Sequence, residues 1–370
     1  MKKRVYRVIV SLIVVVALSL SLVMGAAAQG LEGISENVIV EKVKDMLPLI
    51  YTQGISEDDD VKIGSPISTY HLDEDGGITN SDYTSYPVFI NGDIKAIADV
   101  VKDDDGNVLQ VSLGIDFAEE LQKEVSENPE TAYAVFYAED GIYLKFQADT
   151  DNKLICLKSF MDDNGIVDVD VEGGMEIKYV ESSPINSIEF DAQVPMATST
   201  ILFNTLNVSN VSNTSTTCCP AGICWAASIA IMANCHLGTS YTALQIHDRF
   251  SCLTSNYHNE EKSYIRSLGM YVGGPYYSTG SYPFCFSTLY DCIEADMLLL
   301  LDLQDYGNNV AHNVVAYGYY GNSDFSSLYF YYMDPNTGGR ISSFPSTSSE
   351  TVYISLSGYN YQVHCYITGY

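Results

Sequence analysis

Ten consecutive residues, Cys224-Trp225-Ala226-Ala227-Ser228-Ile229-Ala230-Ile231-Met232-Ala233, carry no charge and are apolar at nearly every position. The segment favours helix, and a helix that is apolar around its whole circumference has no face to offer water, so it belongs inside a domain. Pro220-Ala221-Gly222 ahead of it suit a loop that stops where the helix begins. Cys224 is then expected at the helix N-terminus, where unpaired N–H groups and the macrodipole favour a thiolate and raise its reactivity at neutral pH. That is the physical case for a nucleophile. Out of context, the same cysteine reads equally as a buried structural residue or half of a disulfide.

The chain of 370 residues exceeds the roughly 100–200 residues of one domain, so two folded units are expected. Charge and cysteine both divide near residue 200. Within a net charge of -29, residues 29–200 hold 36 acidic and 10 basic side chains, whereas residues 201–370 hold 11 and 4. Cys156 alone precedes residue 200, and Cys218, Cys219, Cys224, Cys235, Cys252, Cys285, Cys292 and Cys365 follow it. From Ser182 to Thr217 charges are few and Ser, Thr and Asn many, as in a linker. We therefore expect an acidic α+β unit over residues 29–197 and a second α+β unit over residues 198–370. Strong acidity without a basic stripe excludes nucleic acid and anionic lipid as partners. Neither Cys218-Cys219 nor Cys285 with Cys292 has the companion spacing of a zinc site, so no metal and no cofactor are expected. The acidic triplets Asp58-Asp59-Asp60 and Asp103-Asp104-Asp105 lack the spaced ligands of a calcium loop and read as solvated turns.

Residues 1–28 read as an export signal. Lys2, Lys3, Arg4 and Arg7 precede a charge-free, largely apolar run from Val8 to Met24, and Ala26-Ala27-Ala28 supply small residues for a signal peptidase. A secreted or cell-surface protein is expected, in which disulfides are permitted. A retained membrane anchor is the competing reading, since the apolar run is near the lower limit of about 17–20 residues for a span.

In the first unit, apolar residues between Leu31 and Tyr51 recur at mixed three and four spacings, which predicts an amphipathic helix. Pro87 to Ile90 and Ile94 to Val101 flank Asn91-Gly92, the strongest short-range hairpin signal. Asp103 to Asn107 makes a second turn before a strand from Val108 to Leu113. Phe117 to Val125 reads as a short helix, and Ala132 to Ala138, Ile142 to Ala148 and Lys153 to Phe160 as strands.

A nucleophilic thiol needs a base. His236, His247 and His258 sit in helix-like or loop surroundings, whereas His312 follows the apolar run Met297 to Leu301 and the turn Gly307-Asn308-Asn309, and opens the strand Val310 to Tyr319. A histidine facing a cleft from the start of a core strand can take the thiol proton and later return it to a leaving amine. The next strand, Leu328 to Met333, ends in Asp334-Pro335-Asn336, where Pro335 stops the strand and leaves Asp334 at its edge. The Asp334 carboxylate would hold the imidazole in the useful tautomer and stabilise the imidazolium.

Gly222-Ile223-Cys224-Trp225-Ala226-Ala227 looks like the second half of the C-G-[SA]-C-[WY] signature around the papain and cathepsin nucleophile. Ala311-His312-Asn313-Val314-Val315-Ala316-Tyr317-Gly318-Tyr319, followed by Tyr332-Met333-Asp334-Pro335-Asn336, resembles the small bacterial branch of the papain-like cysteine peptidases, namely the bacteriocin-leader-processing enzymes and, more distantly, streptopain and staphopain. The resemblance covers roughly Thr216 to Gly339. It implies a papain-like fold, a central Cys-bearing helix on an antiparallel sheet, and a Cys224–His312–Asp334 triad that hydrolyses polypeptide substrates. It also implies that the hairpin-bearing first unit is a propeptide acting as an intramolecular inhibitor, with a permanently attached accessory domain as the alternative. His312 and Asp334 follow Cys224 by 88 and 110 residues, less than in papain, so papain's full second domain is not expected. Papain-like enzymes usually place an oxyanion-donating Gln about six residues before the nucleophile, where this chain has Cys218. The expected donors are instead the Cys224 N–H and a side chain such as Asn213, Ser215 or Thr217. Two other classes share the residues: a transglutaminase-like acyltransferase, which usually has Ala-Trp after its histidine where this chain has Asn313-Val314, and a catalytically degenerate papain-fold binding protein.

Overall fold

The computed structural model describes residues 36–370 apart from 52–54, 57, 74–76, 116, 130, 139, 149–153, 161–176, 181–183, 189–200, 215, 217–221, 254–256, 279–282, 323–326 and 345–350. The export signal and the unit boundary near residue 198 lie outside the described residues. The protein is α+β.

Helix α1 is seen over residues 36–50 and buries Ile39, Val43, Met46 and Leu47, which share one face at helical spacing. Strands β1 (Val61–Gly64), β2 (Ser68–Leu72), β3 (Ile78–Asn80), β4 (Thr84–Ile90), β5 (Asp93–Lys102) and β6 (Val108–Gly114) follow. Asn91 and Gly92 both take positive φ, 54° and 90°, so the expected β4–β5 hairpin closes through a turn whose twist matches that of its strands. Helix α2 (Ala118–Glu127) then leads to β7 (Tyr133–Ala138), β8 (Gly141–Phe146), β9 (Ile155–Ser159) and β10 (Pro184–Ile188). Strands β3-β2-β7-β8-β9 form a small sheet in which β2 and β7 run parallel.

The second half opens with β11 (Ile201–Thr205) and continues through α3 (Cys224–Leu237), α4 (Ala243–Phe250), α5 (Tyr257–Ser267), β12 (Val272–Tyr277) and α6 (Phe286–Glu294). A run of long antiparallel strands completes it: β13 (Leu298–Asp305), β14 (Val310–Asn322), β15 (Leu328–Asp334), β16 (Gly338–Ser343), β17 (Tyr353–Leu356) and β18 (Tyr359–Gly369). The strand period explains how β13 can open with four consecutive leucines. Leu298 and Leu300 pack with the α3 side chains, while Leu299, Leu301 and Leu303 pack with Leu289 and Ile293 of α6. A strand covered on both faces reads as a continuous apolar run. Nine consecutive α3 residues, Trp225 to Ala233, are buried, as an all-apolar helix requires.

The two halves share one large sheet of order β10-β1-β4-β5-β6-β16-β15-β14-β13-β18-β12, with β11 also on β14 and β17 on β18. The seam is the β6–β16 ladder, where Gly114, Leu113 and Ser112 face Arg340, Ile341 and Ser342. Across it, Arg340 donates to Asp99 at 2.7 Å with each side chain only 3% exposed, and Ser112 meets Ser342 at 2.8 Å. Tyr329 and Tyr331 complete the apolar cluster under α1, and the Tyr329 hydroxyl donates to Asp45 at 2.7 Å. His71 stacks on Tyr359 with ring centres 3.9 Å apart. Among the described residues no helix is long and apolar enough to cross a membrane.

Candidate active site

The start of α3 is set by backbone. Gly222 has φ +108°, and a Cβ there would fall 2.4 Å from the Asn213 amide nitrogen, so only glycine fits. The Ile223 N–H donates to both Asn213 Oδ1 at 2.8 Å and the Thr214 carbonyl at 2.9 Å. Helical bonding begins where Ala226 and Ala227 donate to the Ile223 carbonyl. Cys224 is thus the first residue of α3, in the turn whose N–H groups have no acceptor within the helix. It is a free thiol of intermediate exposure.

His312 and Asp334 come from neighbouring strands, β14 and β15. His312 Nε2 lies 2.7 Å from Asp334 Oδ1, with the imidazole 9% exposed and the carboxylate fully buried. Every Asp334 oxygen is occupied: Oδ1 also accepts from the Asn336 N–H at 3.0 Å, and Oδ2 accepts from the Thr337 N–H at 3.1 Å and its hydroxyl at 2.5 Å. The turn Asp334-Pro335-Asn336-Thr337 therefore wraps its own carboxylate. With Nε2 committed, Nδ1 is the ring nitrogen left for Cys224, whose negative charge favours the imidazolium. Burial pulls the His312 pKa down, but the charges of Cys224 and Asp334 and their hydrogen bonds outweigh it and lift the imidazole to about 10. For Asp334, burial pushes upward and is overcome by His312, Thr337 and Asn336, leaving the carboxyl below its usual range. The three residues singled out from the sequence thus meet in one place.

Asn213, expected as an oxyanion donor, does something else here. Its Nδ2 donates to Asn336 Oδ1 at 3.0 Å and its backbone N–H to the Pro335 carbonyl at 3.1 Å. It ties the start of α3 to the turn that carries Asp334, fixing the relative position of Cys224 and Asp334. Ser215, Thr217 and Cys218 lie outside the described residues. Asn213 also lines a cavity of about 820 Å³ with uncharged neighbours that include Asn207, Asn210, Asn234, Thr239 and Tyr241. Neither Cys224 nor His312 lines it.

A second buried polar group escaped the sequence reading. Asn313 Oδ1 lies 3.8 Å from the Cys224 sulfur, and its Nδ2 donates to Asp302 Oδ1 at 2.5 Å and Glu261 Oε1 at 3.3 Å. Ser228, one turn along α3, donates to the Asn313 carbonyl at 3.1 Å. Asp302 Oδ2 meets His258 Nδ1 at 2.5 Å. Burial, and then the neighbouring Asp302, push the Glu261 carboxyl well above the carboxylate range. One signal was available: Asp302 is the single charge interrupting the apolar run Leu298 to Leu303. What it pairs with lies 41 and 44 positions earlier on α5, beyond the reach of any local pattern.

No protein-family model matches the chain, and no curated protein matches it by sequence.

Proposed function

We propose that the chain is a secreted cysteine peptidase of papain-like architecture in which Cys224 is the nucleophile, His312 the acid–base and Asp334 the orienter. The observation that carries this reading is an imidazole hydrogen-bonded to a fully buried, four-times hydrogen-bonded carboxylate and influenced by the charge of a helix-N-terminal thiol. In the first half-reaction the Cys224 thiolate bonds to the scissile carbonyl carbon. The His312 imidazolium protonates the amine as the C–N bond breaks, leaving a thioester. In the second half, neutral His312 takes a proton from water as its oxygen attacks the thioester carbon, and the C–S bond breaks to release the acid and restore the thiolate–imidazolium pair. The Cys224 N–H, at the positive end of α3, would stabilise the oxyanion of both intermediates.

The N-terminal half is read as the inhibitory part of a zymogen. Two of its residues reach the walls of the site. Lys158 donates to the carbonyl of Thr337, the residue that clamps Asp334, at 3.1 Å. His71 covers Tyr359, whose ring leads through Tyr361 to His312 at centroid separations of 5.8 and 6.0 Å. One incubation tests both parts. Under reducing conditions the purified chain is expected to yield a fragment beginning near residues 195–215 and then to cleave an unfolded protein, while Cys224→Ala does neither. Cleavage by Cys224→Ala at the wild-type rate would contradict the triad, and an intact full-length chain that cleaves substrate would contradict the inhibitor.

A further inference from the structure

Four titratable side chains converge beneath Cys224 on a face of the sheet that is otherwise apolar. Asp302 of β13 lies directly across from Cys365 of β18 and, on its other side, from Asn313 of β14. Helix α5 closes over them with His258 and Glu261, three residues apart and so on one helical face. All four are buried, with relative exposures of 8% for His258, 4% for Asp302 and 0% for Glu261 and Cys365. The neighbours on that face are Leu298, Leu300, Val315 and Ile367. Burying such groups is costly unless each is paired, and the pairing here is incomplete: no donor reaches Glu261 Oε2.

We propose that His258, Asp302 and Cys365 form a three-ligand binding site for one divalent cation of the zinc class. The donor set is one imidazole nitrogen, one thiolate sulfur and one carboxylate oxygen, drawn from the ligands that zinc accepts and hard cations such as calcium and magnesium do not share, because of the sulfur. The donor atoms of His258, Asp302 and Cys365 already lie within 4.8 Å of one another. Tetrahedral zinc with bonds of about 2.0–2.3 Å sets its donors roughly 3.3–3.8 Å apart. Three ligands therefore need only a small adjustment, in which the 2.5 Å contact between His258 Nδ1 and Asp302 Oδ2 opens to admit the ion. Glu261, whose Oε2 no donor meets, stands outside this group of three and would have to swing inward and give up its proton to become a fourth ligand. Binding expels the Cys365 thiol proton, so uptake weakens as pH falls. The ion's ligand Asp302 also holds Asn313, which touches the Cys224 sulfur, so the site lies one side chain from the nucleophile. This inference does not depend on the peptidase reading.

The test uses the full chain carrying Cys224→Ser, which removes the competing thiol at the triad, kept reduced and stripped with a chelator. Titration with Co²⁺ is expected to saturate at one equivalent with near-ultraviolet thiolate-to-cobalt absorption, and Zn²⁺ to displace it. Adding Cys365→Ser is expected to abolish that absorption, and Asp302→Asn to weaken uptake at least about tenfold. If Cys365→Ser does not fold, His258→Gln in the same background decides, with the same loss of affinity expected. Absence of saturable uptake, or an absorption band that survives in folded Cys365→Ser, overturns the proposal.

Discussion

His312 is where the chemistry of the site concentrates in one side chain. Its imidazolium is held by Cys224 and Asp334 against the opposing effect of burial, so its folded pKa of about 10 exceeds the ordinary value of about 6.5. With the pKa raised in the folded state, the pair contributes its full stabilisation below the ordinary value and loses it as pH rises through about 10. Asp334→Ala removes one of the two charges. The His312 midpoint, followed by ring NMR, is expected to fall from about 10, and kcat/KM at neutral pH to drop by about 10²-fold or more, as for loss of general acid–base assistance. An unchanged midpoint would show that Asp334 does not support the imidazolium. Cys224, His312 and Asp334 were legible in the sequence because each marks an element end or a strand start. Asn313, Glu261 and His258 were not, because polar residues inside a helix or strand look solvent-facing until the fold buries them.

Helix α3 does its work through where it starts, and that start depends on one glycine. At Gly222 any other residue meets both the positive φ and the Asn213 amide. Gly222→Ala is expected to cost about 1–3 kcal/mol for the strained backbone, read as a lowered denaturation midpoint. It should also slow acylation of Cys224, because Asn213 links the same spot to the Asp334 turn. A fall in stability with acylation unchanged would show that the tie plays no part in positioning. The elements themselves were largely visible beforehand: the α3 boundary, the Asn91-Gly92 hairpin, α2 and the β7–β9 strands follow from periodicity and turn residues. The branch that β11 adds to β14 and the pairing of β6 with β16 were not, since strand partners distant in sequence leave no local trace.

Taken together, the halves are joined more intimately than a linker near residue 198 suggests. The acidic composition shift is real, yet the sheet crosses it and α1 packs on Tyr329 and Tyr331. The Asp99–Arg340 pair sits at this seam with almost no solvent contact. Burial pushes the Asp99 carboxyl up, opposed by Arg340 and Ser85. Removing one partner of a buried pair leaves the other charge stranded, at a cost of about 3–5 kcal/mol. Asp99→Ala is therefore expected to lower global stability by that order in chemical denaturation and to speed release of the N-terminal fragment. A change under about 1 kcal/mol would show that the seam is not where the halves are held.

Activation of Cys224 by His312 is what makes the proposed site a peptidase. Alkylation of the reduced, processed chain by iodoacetamide at neutral pH, with each cysteine quantified by mass spectrometry, measures this. Cys224 should be labelled first and stoichiometrically, well ahead of the half-buried Cys235 and Cys285, and His312→Ala should slow Cys224 without affecting the other two. Labelling of Cys224 no faster than Cys235, or at the same rate in His312→Ala, would contradict the account.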